Sequence, residues 1–352
     1  MLRYILSLSF LISALHAENV IRSVYGFNVC EDSSGEYCLK RRDDMILKGS
    51  YEECCQTMID ALSDQYGEGY FNIPFFTLGG LEFWTDIFWY DGYVVQEHCA
   101  TKCCRLLNPN SKRLTWGTKE GCRTYFEKHV MGCSLPLRNE HLVILVHGLA
   151  GTYLSFQSLK ADLEKHGFNV YSFNYASTRD TIENHTKSLM NVINEIQAVD
   201  TYSFVSHSMG GVVMRNLFTL DKELACLGDA NLGRFVMVAP PNNGSQLVDA
   251  IKDNWVFKFV YGPAGQELST DAIKNKYFEE IPCEFGIITA LDPNGYYNPY
   301  INSESDLILS VDESIIPGVY DHIEVEGSHS TLMFNDKVKR YVIQFLELGA
   351  FS

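Results

Sequence analysis

Ser206-His207-Ser208-Met209-Gly210-Gly211 places a hydroxyl nucleophile between small residues two positions away on either side. That spacing suits a sharp strand-to-helix turn, in which the residues flanking the central serine come close and must be small. Gly210 meets the demand fully. Ser206, standing where a glycine is more usual, nearly meets it. Such a turn exposes the Ser208 hydroxyl at a helix N-terminus, where the helix dipole favours developing negative charge. The alternative is a Ser/Gly turn without chemistry. The flanking segments favour the nucleophile, since an apolar strand (Tyr202–Val205) precedes the turn and an apolar helix reaching Leu220 follows it.

A serine hydroxyl alone is a poor nucleophile, so a base must lie within hydrogen-bond reach. Ten histidines compete. His329, in Val325-Glu-Gly-Ser-His329, follows the last expected strand and so falls at its carboxyl edge. His322 begins the same strand and lies roughly 23 Å away if the chain is extended, so only one of the two can reach Ser208; His329 is the candidate. A carboxylate should accept a hydrogen bond from the base, fix its tautomer and stabilise its cation. Asp292, Asp306 and Asp312 all lie between the nucleophile and His329. Asp292-Pro293-Asn294-Gly295 also reads as an ordinary turn.

The elements that must position these groups follow one grammar from residue 138 onward. Strands are expected at Leu142–Val146, Phe168–Phe173, Tyr202–Val205, Phe235–Ala239, Phe285–Leu291 and His322–Val325. Helices are expected at Ser155–His166, Thr181–Ala198, after Ser208, and from Thr331 to Leu348. Strands alternating with helices imply an α/β fold, a mainly parallel sheet covered on both faces. Ligands in such sheets bind at the carboxyl ends of the strands, where Ser208 and His329 are expected.

Several separated pieces share this order: Val146-His147-Gly148-Leu149-Ala150-Gly151, Tyr175-Ala-Ser-Thr-Arg179, His207-Ser208-Met209-Gly210-Gly211, Ala239-Pro-Pro-Asn-Asn-Gly244-Ser245, Asp306 and His329. Together they resemble the α/β-hydrolase superfamily, and within it the secreted lipase and esterase branch, over about residues 140–350. The resemblance implies an α/β-hydrolase fold with a small cap. It implies a Ser208–His329–Asp306 triad in the family order of serine, acid, histidine. It also implies an oxyanion hole made by the backbone N–H groups of Leu149 and Met209, with no metal or organic cofactor. Family members commonly carry Asp-Gly at the acid; here Leu307 replaces that glycine. The first 137 residues resemble no family.

Those residues bear a different signature. Met1-Leu-Arg3, an apolar run from Tyr4 to Leu15, and Ala17 before Glu18 read as a signal peptide, residues 1–17, cleaved after Ala17. An uncleaved anchor is the alternative, although the run is short for a membrane span. Nine of the 11 cysteines fall before residue 134. Behind a signal peptide this clustering implies disulfides and an extracellular or periplasmic location. Residues 18–137 therefore read as a disulfide-rich, aromatic-rich accessory region, and 138–352 as the catalytic domain, divided near Pro136. Within the latter, residues 242–282 interrupt the alternation and form a candidate lid or cap. Its aromatics Trp255, Phe257, Phe259 and Tyr261 suit either an acyl pocket or the cap's own core. The aromatic stretch from Tyr70 to Tyr93 reads as a domain core. Asn184-His-Thr186 and Asn243-Gly-Ser245 match glycosylation sequons. The formal net charge of -16 argues against nucleic-acid partners.

The expected activity is hydrolysis of carboxylic esters with apolar acyl groups, from a small-molecule or lipid substrate and with contact to a lipid interface. A thioesterase, amidase or acyltransferase could use the same groups. A binding protein built on a hydrolase-like scaffold is the non-enzymatic alternative.

Overall fold

The computed structural model describes residues 19–24, 27–32, 34–41, 44–50, 53–54, 57, 78–131, 139–296 and 298–352. The expected signal peptide, Cys55, Cys133, the boundary near Pro136, and Tyr70, Phe71, Phe75 and Phe76 lie outside these. The chain divides into two compact units, residues 1–70 and 71–352. The first carries an antiparallel sheet in sequential order, β1 (Asn19–Val24), β2 (Phe27–Glu31), β3 (Tyr37–Arg41) and β4 (Asp44–Gly49). Val29 and Leu39, directly opposite each other on β2 and β3, are fully buried.

The second unit contains two sheets. One is antiparallel: β5 (Trp84–Tyr90), β6 (Tyr93–His98), β7 (Cys104–Leu107) and β8 (Arg113–Gly117). The helix Lys119–His129 packs on it, burying Cys122 and Phe126 against Phe88, Val95 and Leu106. Thr118 caps that helix by accepting from the Gly121 N–H. The division in packing falls at 70/71, and β5–β8 belong to the unit that holds the parallel sheet. Among the described cysteines, Cys38, Cys99, Cys104, Cys122, Cys226 and Cys283 are thiols. The described strands of residues 18–137 pair in ladders and pack on apolar side chains.

The other sheet is parallel throughout, in the order β10-β9-β11-β12-β13-β14. Its strands are β9 (Asn139–Val146), β10 (Asn169–Phe173), β11 (Val199–His207), β12 (Asn231–Val238), β13 (Phe285–Leu291) and β14 (Asp321–Glu326). Side chains alternate between faces, as a strand requires. Leu142, Ile144, Phe204, Phe235 and Ile287 face one apolar layer, with residues of the helices Ile182–Glu195 and Met209–Leu220. Val143, Leu145, Val205, Val236 and Ile288 face the other, with Leu159 and Leu163 of the helix Gln157–Lys165 and Val338, Val342 and Phe345 of the helix Asp336–Leu348. This is the α/β-hydrolase arrangement expected of residues 138–352.

The closing helix departs from expectation. The chain from His329 to Phe334 is a tight 3-10 turn, and the α-helix starts only at Asp336. Asn335 explains the break: its Oδ1 accepts from the Lys337 N–H at 2.9 Å, a cap that needs the residue outside the helix.

Gly286 on β13 shows how tightly that helix sits. A Cβ there would lie 2.6 Å from Phe351 and 2.7 Å from Phe345, both buried. Gly286→Ala is expected to cost about 1–3 kcal/mol by overpacking, read as a lowered urea midpoint; an unchanged midpoint would contradict this packing.

Candidate active site

Ser208 sits between β11 and the helix Met209–Leu220 with φ 53° and ψ −128°, a conformation that L-residues rarely adopt. Its N–H donates to the Val238 carbonyl of β12 at 2.9 Å, which ties the turn to the neighbouring strand. The small-residue rule at Gly210 has a definite origin. A Cβ there would lie 2.2 Å from the Val146 carbonyl oxygen and 2.8 Å from that of His147. The crowding thus comes from the end of β9 rather than from Ser206. Ser206 is fully buried, and its hydroxyl lies 3.4 Å from where a Cβ on Gly211 would stand.

Ser208, His329 and Asp306 form one hydrogen-bonded chain. His329 Nε2 lies 2.9 Å from Ser208 Oγ, and His329 Nδ1 lies 2.6 Å from Asp306 Oδ2. Asp306 is buried, and its second oxygen accepts from the N–H groups of Ile308 and Leu309 at 3.0 and 2.8 Å. The His329 N–H also donates to the Asp306 carbonyl at 3.3 Å. Both sides of the imidazole are therefore fixed.

The other candidates lie elsewhere. Asp292 accepts from the N–H groups of Asn294 and Tyr296, so its carboxylate shapes a turn. Asp312 stands in the first turn of the short helix Val311–Ser314. His322 Nε2 pairs with Thr289 Oγ1 across β13 and β14. Leu307, which replaces the family glycine, has φ 77°. This explains the preference for glycine there, and the Leu307 carbonyl is held by Asn298 Nδ2 at 2.7 Å.

The loop after β9 comes close to Ser208. A Cβ on Gly148 would lie 2.8 Å from Ser208 Cβ and 3.4 Å from its Oγ, so only glycine lets this backbone approach. Leu149 follows on that loop. Met209 opens its helix, where an N–H has no intrahelical acceptor. Above the loop, the helix Trp255–Gln266 breaks at Gly262, with φ 61° and ψ −157°, before Pro263. A Cβ on Gly262 would collide with the Thr178 carbonyl, and one on Gly265 would lie 3.4 Å from Leu149 Cδ2 and 3.5 Å from Phe257 Cζ. The cap therefore rests on the loop that carries Leu149.

Two histidines beside Ser208 are buried and neutral, a feature the sequence does not display. Burial pushes His147 down to about 3. Its Nδ1 donates to the Gly148 carbonyl at 2.8 Å, and its Nε2 accepts from the Tyr175 N–H at 3.3 Å. Burial, and then the neighbouring His329, push His207 down to about 3 as well. Its Nε2 donates to the His329 carbonyl at 3.1 Å. Only their position beside the turn and the strand end signals a role. Among the described residues, no group of His, Cys, Asp and Glu could hold a metal ion.

The chain is similar to known proteins over part of its length. Residues 137–258 match the family described as "Putative serine esterase (DUF676)". No curated protein sequence matches the chain. Solved structures similar to it include the mature lipase BlEst2 of Bacillus licheniformis, 16% identical over 57% of this chain and 89% of that one, with TM-score 0.46. A metagenomic carboxyl esterase, MGS0156, is 18% identical over 56% and 68%, with TM-score 0.47. Phospholipase PlaB of Legionella pneumophila is 21% identical over 50% and 45%, with TM-score 0.39. The matched residues 137–258 include β9, β10, β11 and β12 and the Ser208 turn.

Two consequences can be measured. In the unfolded chain His147 and His207 bind protons below about pH 6.5, but the folded protein refuses them until about pH 3. Stability should therefore fall as pH drops through this window, by about 1–2 kcal/mol per histidine between pH 6.5 and 5. Urea unfolding at pH 7, 6 and 5 checks it, with a smaller loss expected for His207→Gln; equal losses in parent and variant would contradict it. At Leu307, replacement by glycine should relieve about 1 kcal/mol of left-handed strain, seen as a higher thermal midpoint with ester hydrolysis retained; a lower midpoint would contradict the strain.

Proposed function

We propose that Ser208, His329 and Asp306 are the catalytic triad of a secreted hydrolase acting on esters with apolar acyl groups. One observation carries this reading: a single imidazole bonds Ser208 Oγ at 2.9 Å through one nitrogen and a buried Asp306 carboxylate at 2.6 Å through the other. Ser208 Oγ attacks the ester carbonyl while its proton passes to His329 Nε2. The carbonyl oxygen takes the negative charge and is met by the N–H groups of Leu149 and Met209. Collapse expels the alcohol, which takes the proton from His329, and leaves an acyl group on Ser208. Water, deprotonated by the same nitrogen, then attacks the acyl carbonyl; the acid leaves and the proton returns to Ser208. Asp306 stabilises the transient imidazolium. No step calls for a cofactor.

The apolar substrate class is supported by the cap. Trp255 is 74% exposed and Phe259 73%, with Val256 and Val260 also exposed, so the first half of the broken helix offers an apolar outer face. Its inner face carries buried Phe257, packed with Tyr261 near Leu149. Such a helix suits contact with a lipid surface outside and an acyl chain inside. The secreted location rests on the N-terminal apolar run and the cysteine clustering, with Cys30 and Cys38 directly opposite each other on β2 and β3.

The test is a panel of p-nitrophenyl esters of increasing chain length, with matched thioesters and anilides. The parent protein should prefer esters of long acyl chains. Ser208→Ala should lose about ten-thousandfold or more in kcat. Full activity in Ser208→Ala would overturn the assignment.

A further inference from the structure

The segment from Asn174 to Thr178 lies between the loop that carries Leu149 and strand β5, and is bonded to both. Toward the loop, Asn174 Oδ1 accepts from the Tyr153 N–H at 3.0 Å, and Ser177 Oγ accepts from the Ala150 N–H at 3.0 Å. Ala150 stands next to Leu149 at φ 56°, a left-handed conformation that an alanine keeps only when its surroundings hold it there. Glycines at 148 and 151 supply no stiffness of their own. The two side chains therefore grip the loop at Ala150, between its two glycines, and at Tyr153, just beyond them.

Toward β5, Asn174 Nδ2 donates to the carbonyls of Leu81 and Trp84 at 3.0 and 2.7 Å. The Asp86 N–H donates to the Asn174 carbonyl at 2.8 Å, and the Asn174 N–H donates to Asp86 Oδ2 at 2.9 Å. The Ala176 N–H donates to Thr85 Oγ1 at 3.1 Å. Asp86 is buried and also accepts from Tyr171 OH at 2.8 Å and Gln96 Nε2 at 2.7 Å. Gln96 Oε1 is in turn held by Arg105 through Nε at 2.9 Å and a second guanidinium nitrogen at 2.7 Å. Asn174 is buried with all its side-chain hydrogen-bonding capacity toward these two elements engaged. Its partners on β5 lie about 90 positions earlier in the chain.

We propose that strand β5 and the turn before it form a structural part of the oxyanion hole, acting through Asn174 and Ser177 to fix the direction of the Leu149 N–H. An oxyanion donor helps only if it is aimed before charge develops, because a donor that must reorganise loses its advantage. Asn174 and Ser177 are positioning residues, and the proposal rests on Leu149 acting as the donor. The antiparallel sheet is then part of the catalytic machinery and not a separable appendage.

The experiment uses the full chain and the variants Ser177→Ala and Asn174→Ala. Active sites are counted with a fluorophosphonate, and kcat and KM for a short p-nitrophenyl ester are expressed per labelled site. Affinity for an alkyl boronic acid, whose adduct with the serine is an anionic tetrahedral boronate with a hydroxyl in the oxyanion position, is measured alongside. Both variants should lose about 10- to 100-fold in kcat per site, with KM within about twofold and a similar loss of boronate affinity. Ser177→Ala removes one oxygen and carries the test if Asn174→Ala does not fold. Parental kcat per site and boronate affinity in folded Ser177→Ala would overturn the proposal, because a merely structural role lowers only the number of labelled sites. Failure of the Ser208 reading would appear differently, as a parent protein that takes no label.

Discussion

At Ser208 the backbone turns left-handed, a strain of about 1–2 kcal/mol that the neighbouring strands must hold in place. β12 supplies Val238, whose carbonyl takes the Ser208 N–H. β9 supplies the Val146 and His147 carbonyls, which press on Gly210 so closely that no side chain fits. The serine can occupy this position only if β9, β11 and β12 keep their parallel register. The fully buried runs Leu142–Val146 and Phe235–Val238 lock that register. The same register brings the ends of β9 and β11 together, so the loop holding Gly148 arrives against the serine.

Around that turn the site is kept dry. His147 and His207 are neutral because burial excludes the charged form, and each uses its ring to pin a backbone carbonyl. His207 holds the carbonyl of His329 itself, so a residue inside the turn also steadies the base. A second cation beside His329 would oppose the imidazolium that the proposed chemistry needs, and burial of His207 prevents it. In such surroundings oriented N–H groups and a carboxylate act far more strongly than they would in water.

Much of the catalytic domain was legible because its strands are short apolar runs that end where the chemistry sits. The nucleophile turn and the strand before His329 could be placed from pattern alone. The substitution at Leu307 was visible, but its meaning was not until the backbone showed a left-handed residue there. The antiparallel strands were not legible, since β1–β4 are only five or six residues long and β5–β8 are hidden within an aromatic-rich stretch. Cysteine content changes near residue 134, whereas packing divides the chain at residue 70. Asn174 and Asp86 gave no local sign, and Ser177 stood out only as part of Tyr175–Arg179, because their partners lie tens of positions away and a single polar residue has no period.

The candidate cap helix Trp255–Gln266 joins these features. It rests on Leu149 through Gly265 and on Thr178 through Gly262, so it touches both the loop that approaches the serine and the segment that braces it. A ligand that lifts the cap would also bear on that loop. The most direct test of the whole arrangement is to treat the folded full-length protein with a fluorophosphonate and locate the adduct by peptide mass spectrometry. A single phosphonyl group on Ser208, lost when His329 is replaced by alanine, is the predicted result; no adduct, or an adduct on another serine, would contradict it.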